Sequence, residues 1–285
     1  MDPLLLLKAI VLGIVEGLTE FLPISSTGHL IVVEDLLRFR IPTREVFMIA
    51  IQGGAILAVC WEYRQRLAAL AGGLLNRPRE QRLALNVVIA FLPAAILGVI
   101  FKDAIATTLF NPLSVATALV LGGVVILAVE QRHKRRYGER DLQGKRHARV
   151  ETIDDIGPLD ALKIGLAQCA ALIPGTSRSA ATIIGGILLG FSRRAATEFS
   201  FFLAIPTVIG ASVYSLFKAR EQLAAADLPL YAAGFAAAFV AALVCVRWLL
   251  RYLASHDFVI FGWYRIAFGG LILMTAYTGV VGWSD

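Results

Sequence analysis

Along the chain, polar residues gather in short clusters between long apolar runs instead of recurring at the period of an amphipathic helix or strand. A helix needs about 20 apolar residues to cross the hydrocarbon core of a bilayer. Six runs meet or approach that length: Val46 to Trp61, Leu83 to Phe101, Pro112 to Val129, Phe199 to Phe217, Leu228 to Val246, and Phe258 to Gly282. Apart from Arg265 in the last, none carries a charge.

Two further apolar regions differ in kind. Leu4 to Val33 holds Glu16 and Glu20 and then Pro23, with Ser25-Ser26-Thr27-Gly28 close behind; Ile164 to Ser192 holds Pro174-Gly175 followed by Thr176-Ser177-Arg178-Ser179. Such a break frees backbone groups that lipid cannot satisfy, so it is tolerated only where protein or a wet cavity surrounds it. Both regions are therefore predicted to be re-entrant broken-helix hairpins. Their prolines lie 151 positions apart, about half the chain, and three spans follow each hairpin. An odd number of spans turns the second half over, which predicts an inverted-topology repeat with its broken helices meeting near the midplane. The expected chain is an all-α integral membrane protein of six transmembrane helices plus these two hairpins. Residues 1–130 form the first repeat, 131–158 a basic loop and 159–285 the second repeat.

Composition agrees. Hydrophobic residues make up 58 %, charged residues 17 %, and mean hydropathy is +0.72, which leaves too little polar surface for a fold in water. The net charge of +6 lacks the aromatic-interleaved basic strips that bind strands, so no nucleic-acid partner is expected. The excess sits in loops: eight Lys/Arg between Gln131 and Asp160, five between Glu62 and Arg82. The positive-inside rule puts both in the cytoplasm and turns Glu34–Glu45, Lys102–Asn111 and the C-terminus outward, although Arg38, Arg40 and Arg44 then lie outside. The N-terminus has no basic stretch, and Glu16 and Glu20 fall where a cleavable signal stays apolar, so it is expected to be retained. Cys60, Cys169 and Cys245 are scattered through apolar stretches and read as packing. Arg193, Arg194, Glu198, Lys102 and Arg247 read as interfacial anchors, and His133 and His147 as solvated.

Glu16 and Glu20 are four apart, so a helix stacks them on one face. Two carboxylates in the membrane repel unless one is protonated or a cation bridges them, and a divalent metal is the economical answer. Beyond the break, Ser25, Ser26 and Thr27 suit helix capping, yet His29 stands one turn past Ser26, close enough to exchange a proton with it. Arg178 is the only charged residue between Ile164 and Ser192 and cannot shed its proton, so it requires an anion. That anion is either Glu16 or Glu20, or a phosphate cradled with Ser177, Ser179, Thr182 and a helix N-terminus. Acids for a metal, a hydroxyl beside a base, and a guanidinium are the parts phosphoryl transfer uses. No nucleotide-binding glycine loop is present. The alternative class is a transporter, which shares this architecture.

Glu16-Gly-Leu-Thr-Glu20-Phe-Leu-Pro-Ile-Ser-Ser-Thr-Gly-His29 and Pro174-Gly-Thr-Ser-Arg178-Ser-Ala-Ala-Thr182 resemble the two signature motifs of the bacterial undecaprenyl-diphosphate phosphatase family, the bacitracin-resistance type. The similarity extends over nearly the whole chain, including Phe191 to Phe202. It implies a multi-pass inner-membrane enzyme, possible as a homodimer, that removes the terminal phosphate of a C55 polyprenyl diphosphate at the periplasmic face and depends on Mg²⁺ or Ca²⁺. Carried onto this chain, Glu16 and Glu20 handle metal and protons, Ser26 is the candidate nucleophile and His29 its acid/base partner. Arg178, with Ser25, Thr27, Ser177, Ser179 and Thr182, holds phosphate. Attack by His29 itself or by a metal-activated water stays open.

Overall fold

The computed structural model of the chain describes residues 2–137, 148–219 and 225–282. The described residues form helices and short turns, with a single isolated bridge, Val150 to Phe191, and no strand. In chain order the helices are α1 (Pro3–Thr19), α2 (Ser26–Leu36), α3 (Arg44–Glu62), α4 (Arg64–Gly73), α5 (Pro78–Leu109), α6 (Pro112–Tyr137), α7 (Pro158–Gln168), α8 (Arg178–Leu188), α9 (Arg193–Ala219), α10 (Leu228–Tyr252) and α11 (Val259–Thr278).

Six of them, α3, α5, α6, α9, α10 and α11, are long and apolar enough to cross a membrane, matching the six predicted runs. In these windows only 22–44 % of residues are buried inside the protein. The remaining apolar surface, including Val99, Val213 and Val244, faces outward, as a protein whose solvent is lipid requires. The chain is a multi-pass membrane protein.

The expected interruptions are present. α1 ends at Thr19 and α2 begins at Ser26; α7 ends at Gln168, a 3₁₀ turn spans Cys169–Leu172, and α8 begins at Arg178. α1 packs against α10 and α3, α7 against α5, and α6 against α11. Glycine makes the first of these contacts close: a Cβ on Gly13 would stand 2.3 Å from the Gly234 carbonyl, and one on Gly17 2.4 Å from that of Ala238.

The structure corrects several local readings. Glu62–Arg82, read as a loop, contains α4, and most of Lys102–Asn111 is the end of α5, which continues through Pro93. His133, read as solvated, is 4 % exposed. Arg193, read as an anchor, is buried: its Nε and Nη2 donate to both oxygens of Glu130, at 3.0 and 2.5 Å, and the Phe258 amide joins them at 3.1 Å. A buried guanidinium needs that bidentate partner. Of Arg38, Arg40 and Arg44, Arg40 pairs with Asp35 at 2.6 Å and Arg44 with both oxygens of Glu34 at 2.9 and 2.6 Å, so acids on α2 offset the positive charge there. His147 and the side chains of Lys102 and Arg136 lie outside the described residues. The cysteines are free, and Cys245 is buried in the packing.

Candidate active site

The two breaks share an unusual backbone. Ser25 and Ser177, the residues that cap α2 and α8, have φ of 72° and 71°. For a residue with a Cβ that conformation costs about 1–3 kcal/mol and persists only where surrounding structure enforces it. Beside the second break, Gly175 (φ 93°) lies so close to α6 that a Cβ would stand 2.4 Å from the Val115 carbonyl.

Arg265 ties the two breaks together. It is fully buried on α11 and donates to five backbone carbonyls: Pro23 (3.2 Å) from the first break, Gly175 and Thr176 (3.0 Å each) from the second, and Ala118 (3.0 Å) and Leu119 (3.3 Å) from α6. Three carbonyls freed by the two breaks, those of Pro23, Gly175 and Thr176, thus receive hydrogen bonds from one side chain. Sequence reasoning noted Arg265 as the lone charge in a span and assigned it no task. The signal available was that isolation, since an arginine within lipid must have partners.

Around this clamp the predicted polar residues converge. Glu20 accepts from the Arg178 guanidinium through Oε1 (3.3 Å) and from the Ser26 hydroxyl through Oε2 (2.7 Å). A second bond crosses between the breaks, from the Ser179 hydroxyl to the Leu22 carbonyl at 2.7 Å. Arg178 also donates to the Ser200 carbonyl at 2.9 Å, and its guanidinium lies 5.8 Å from the Phe21 ring centroid. The Thr182 hydroxyl donates to Ser200 Oγ at 2.7 Å. Ser179 and Thr182 are therefore buried residues that tie α8 to its neighbours, whereas Ser26, Thr27 and Ser177 remain partly exposed on the first turns of α2 and α8.

His29 and Ser26 lie one turn apart as expected but are not hydrogen-bonded to each other. His29 Nδ1 stands 2.7 Å from the Ser25 carbonyl, which can only accept, so Nδ1 carries the proton and in the neutral ring Nε2 accepts from the Tyr264 hydroxyl at 2.6 Å. Phe268 stacks on the imidazole at 4.0 Å. Tyr264 was not singled out from sequence; like Arg265 it stands on α11, far from the motifs in the chain.

Glu16 is fully buried one turn before Glu20, and neither of its carboxylate oxygens has a hydrogen-bond partner. A buried carboxylate left in that state suits either a proton or a cation. The described residues contain no cluster of three or more His, Cys, Asp or Glu side chains, so a cation held by Glu16 and Glu20 would complete its shell from other oxygens. Within that limit the pair fits a hard divalent ion.

These features define a class: a polytopic helical membrane protein in which two interrupted helices join a carboxylate, a hydroxyl and a guanidinium in one partly buried site. Residues 9–271 match the profile of the family described as bacitracin resistance protein BacA, and the chain belongs to that family. It is 60 % identical over 285 residues to the undecaprenyl-diphosphatase of Methylibium petroleiphilum and 58 % identical to that of Janthinobacterium sp., in both cases over the whole of each chain. It is 56 % identical, again end to end, to undecaprenyl-diphosphatase 1 of Paraburkholderia xenovorans.

Proposed function

We propose that the chain is an undecaprenyl-diphosphatase: it hydrolyses the terminal phosphoanhydride bond of a C55 polyprenyl diphosphate, consuming water and releasing orthophosphate and the lipid monophosphate. The observation that carries this reading is the line Arg178, Glu20, Ser26, in which a guanidinium, an acid and a hydroxyl from both breaks touch in sequence. A transporter needs a headgroup pocket but no hydroxyl bonded to a base. End-to-end identity to relatives bearing that name supports the same substrate.

Arg178 neutralises phosphate oxygens, with Ser177 and the first-turn amides of α8 as further donors. Glu20 Oε2 accepts a hydrogen bond from the Ser26 hydroxyl at 2.7 Å, which supports Glu20 over His29 as the base for that hydroxyl. His29, fixed between the Ser25 carbonyl and Tyr264, holds the first turn of α2 and supplies a second proton-carrying group. Glu16 and Glu20 would hold a Mg²⁺ or Ca²⁺ ion, which supplies charge neutralisation at the diphosphate.

The packing supports an inverted repeat with α1, α2, α3, α5 and α6 matched to α7, α8, α9, α10 and α11. Under that match the α1–α10 contact corresponds to α7–α5, while α3–α9 and α6–α11 each map onto themselves. The loop charges support an orientation in which both breaks enter and leave on their own side of an inner membrane, and the site opens to the periplasmic face.

The test is phosphate release from a polyprenyl diphosphate by purified protein in detergent, with and without chelator, for the wild type and Ser26→Ala. Release by the wild type that Ser26→Ala lowers by at least about a hundredfold supports the assignment. Binding of the lipid with no phosphate release favours carriage instead.

A further inference from the structure

Two three-helix groups flank the breaks, and they are packed differently. α1, α3 and α10 touch through glycine: besides Gly13 and Gly17, a Cβ on Gly54 would lie 2.3 Å from the Phe235 carbonyl, and the open groove of about 650 Å³ along α1 and α10 is lined by apolar side chains alone. α5, α7 and α9 enclose a space that polar groups reach. Between them lies a cavity of about 550 Å³ whose walls are small or apolar side chains, among them Phe91, Ala95, Gly98 and Ala211. Its outer edge includes Val99 and Tyr214, 65 % and 40 % exposed on the apolar surface. Its inner edge is Arg178 and Gln168.

Both inner residues have an unused donor. Arg178 Nε has no hydrogen-bond partner, and neither does Nε2 of Gln168, which is 1 % exposed. Buried donors without acceptors are costly, and here two of them border the same apolar space. A second cavity, about 630 Å³ between α6 and α8, is lined by no ionisable side chain at all.

From this asymmetry we infer that the isoprenoid chain of the substrate reaches the site through the gap between α5 and α9, with its first units in the 550 Å³ cavity. The headgroup lies against Arg178 and the lipid-proximal phosphate against Gln168. A cavity of this size is that of a drug-sized ligand, so it takes only the stretch of chain next to the diphosphate and leaves the rest in the bilayer. The headgroup part of this inference rests on the phosphatase reading; the route of the chain does not.

The test uses purified full-length protein in detergent and two probes. A diazirine-bearing farnesyl diphosphate should label residues 91–99 and 207–215, more strongly than the matching farnesol. Labelling centred on residues 113–125 overturns the route, and equal labelling by the alcohol overturns the headgroup placement. Kinetically, Ala95→Trp and Ala211→Trp should each raise KM for farnesyl diphosphate about tenfold, roughly the loss of two buried methylene groups, with kcat within about twofold. Leu121→Trp, at the other cavity, should leave KM unchanged. Unchanged KM in both Ala95→Trp and Ala211→Trp, each folded by size-exclusion profile, also overturns the route. A wild type that releases no phosphate defeats the phosphatase reading alone, because the labelling pattern still reports where the chain lies.

Discussion

Glu20 and Arg178 are 158 positions apart and meet at 3.3 Å, each carried to the contact by the helix break of its own half. Neither is buried without a partner, and both stay partly accessible at 14 % and 11 % side-chain exposure, so a phosphate can compete for the guanidinium. Arg178→Lys keeps the charge but loses the planar fork that binds a carboxylate and a phosphate together. Phosphate release should fall by at least about a hundredfold with little change in thermal stability, because the remaining cross-break bonds persist. Equal activity in Arg178→Lys and wild type would remove the guanidinium from the reaction.

The bond from Ser26 to Glu20 and the separation of Ser26 from His29 predict a rank order. Glu20→Gln keeps the shape and removes the base, so it should be nearly as inactive as Ser26→Ala. Tyr264→Phe loses the hydrogen bond to His29 Nε2 but keeps the ring stacked near Phe268, so it should cost about tenfold or less in kcat. Steady-state kinetics on the three variants checks the order; a Tyr264→Phe enzyme as dead as Glu20→Gln would return the main proton transfer to His29.

Chelation should abolish phosphate release, and adding Mg²⁺ or Ca²⁺ should restore it. Glu16→Gln removes one of the two carboxylates available to the ion, so the concentration needed for half-activation should rise by about tenfold or more. A metal titration of each variant measures this, and activity indifferent to chelator would leave Glu16 protonated instead.

The Arg265 clamp should dominate stability. Arg265→Met leaves five carbonyls without their donor and should lower stability by about 3–5 kcal/mol, the range for breaking a buried network. Gly122→Ala tests the same contact from the other side, since its Cβ would stand 2.3 Å from Arg265 Nη2; overpacking of this kind costs about 1–3 kcal/mol. Thermal unfolding in detergent should rank wild type, Gly122→Ala and Arg265→Met in descending order.

A smaller effect belongs to the segment that leads into α7. Arg149 donates to both oxygens of Asp160 at 3.0 and 2.8 Å, and this holds the Asp160 carboxyl below the usual carboxylate range. A depressed acid stabilises the fold above its unfolded value, about pH 4, and loses that contribution as pH falls through the folded one. Asp160→Asn should thus be less stable than wild type near pH 7, by no more than about 1 kcal/mol for a pair whose arginine is largely exposed, and the two should converge as pH falls below the folded value of Asp160.

Much of this was legible in the chain. The six spans follow from uninterrupted apolar length, and the breaks from Pro23 and Pro174 beside hydroxyl clusters, because lipid leaves a helix few alternatives. Glu20, Ser26 and Arg178 could be grouped because each is expensive in a membrane without a partner. Which of them touch could not be read: Ser26 and His29 are neighbours on a helix, yet Ser26 turns back across the break to Glu20. Arg265, Tyr264 and Gln168 were missed for a related reason. Their partners are backbone carbonyls, a ring nitrogen and the Thr207 hydroxyl of another helix, none of which leaves a pattern in sequence. Arg193 shows the converse, since positive charge at a span end reads as an interfacial anchor until Glu130 is found beside it.

The five carbonyls held by Arg265 also impose an order on biosynthesis. The Pro23 carbonyl leaves the ribosome long before the last helix, so the amino-terminal half must wait, inserted but unfinished, for a donor 242 residues downstream. Truncation before α11, or a stalled nascent chain, should therefore yield a protein that inserts yet is cleared by membrane quality control.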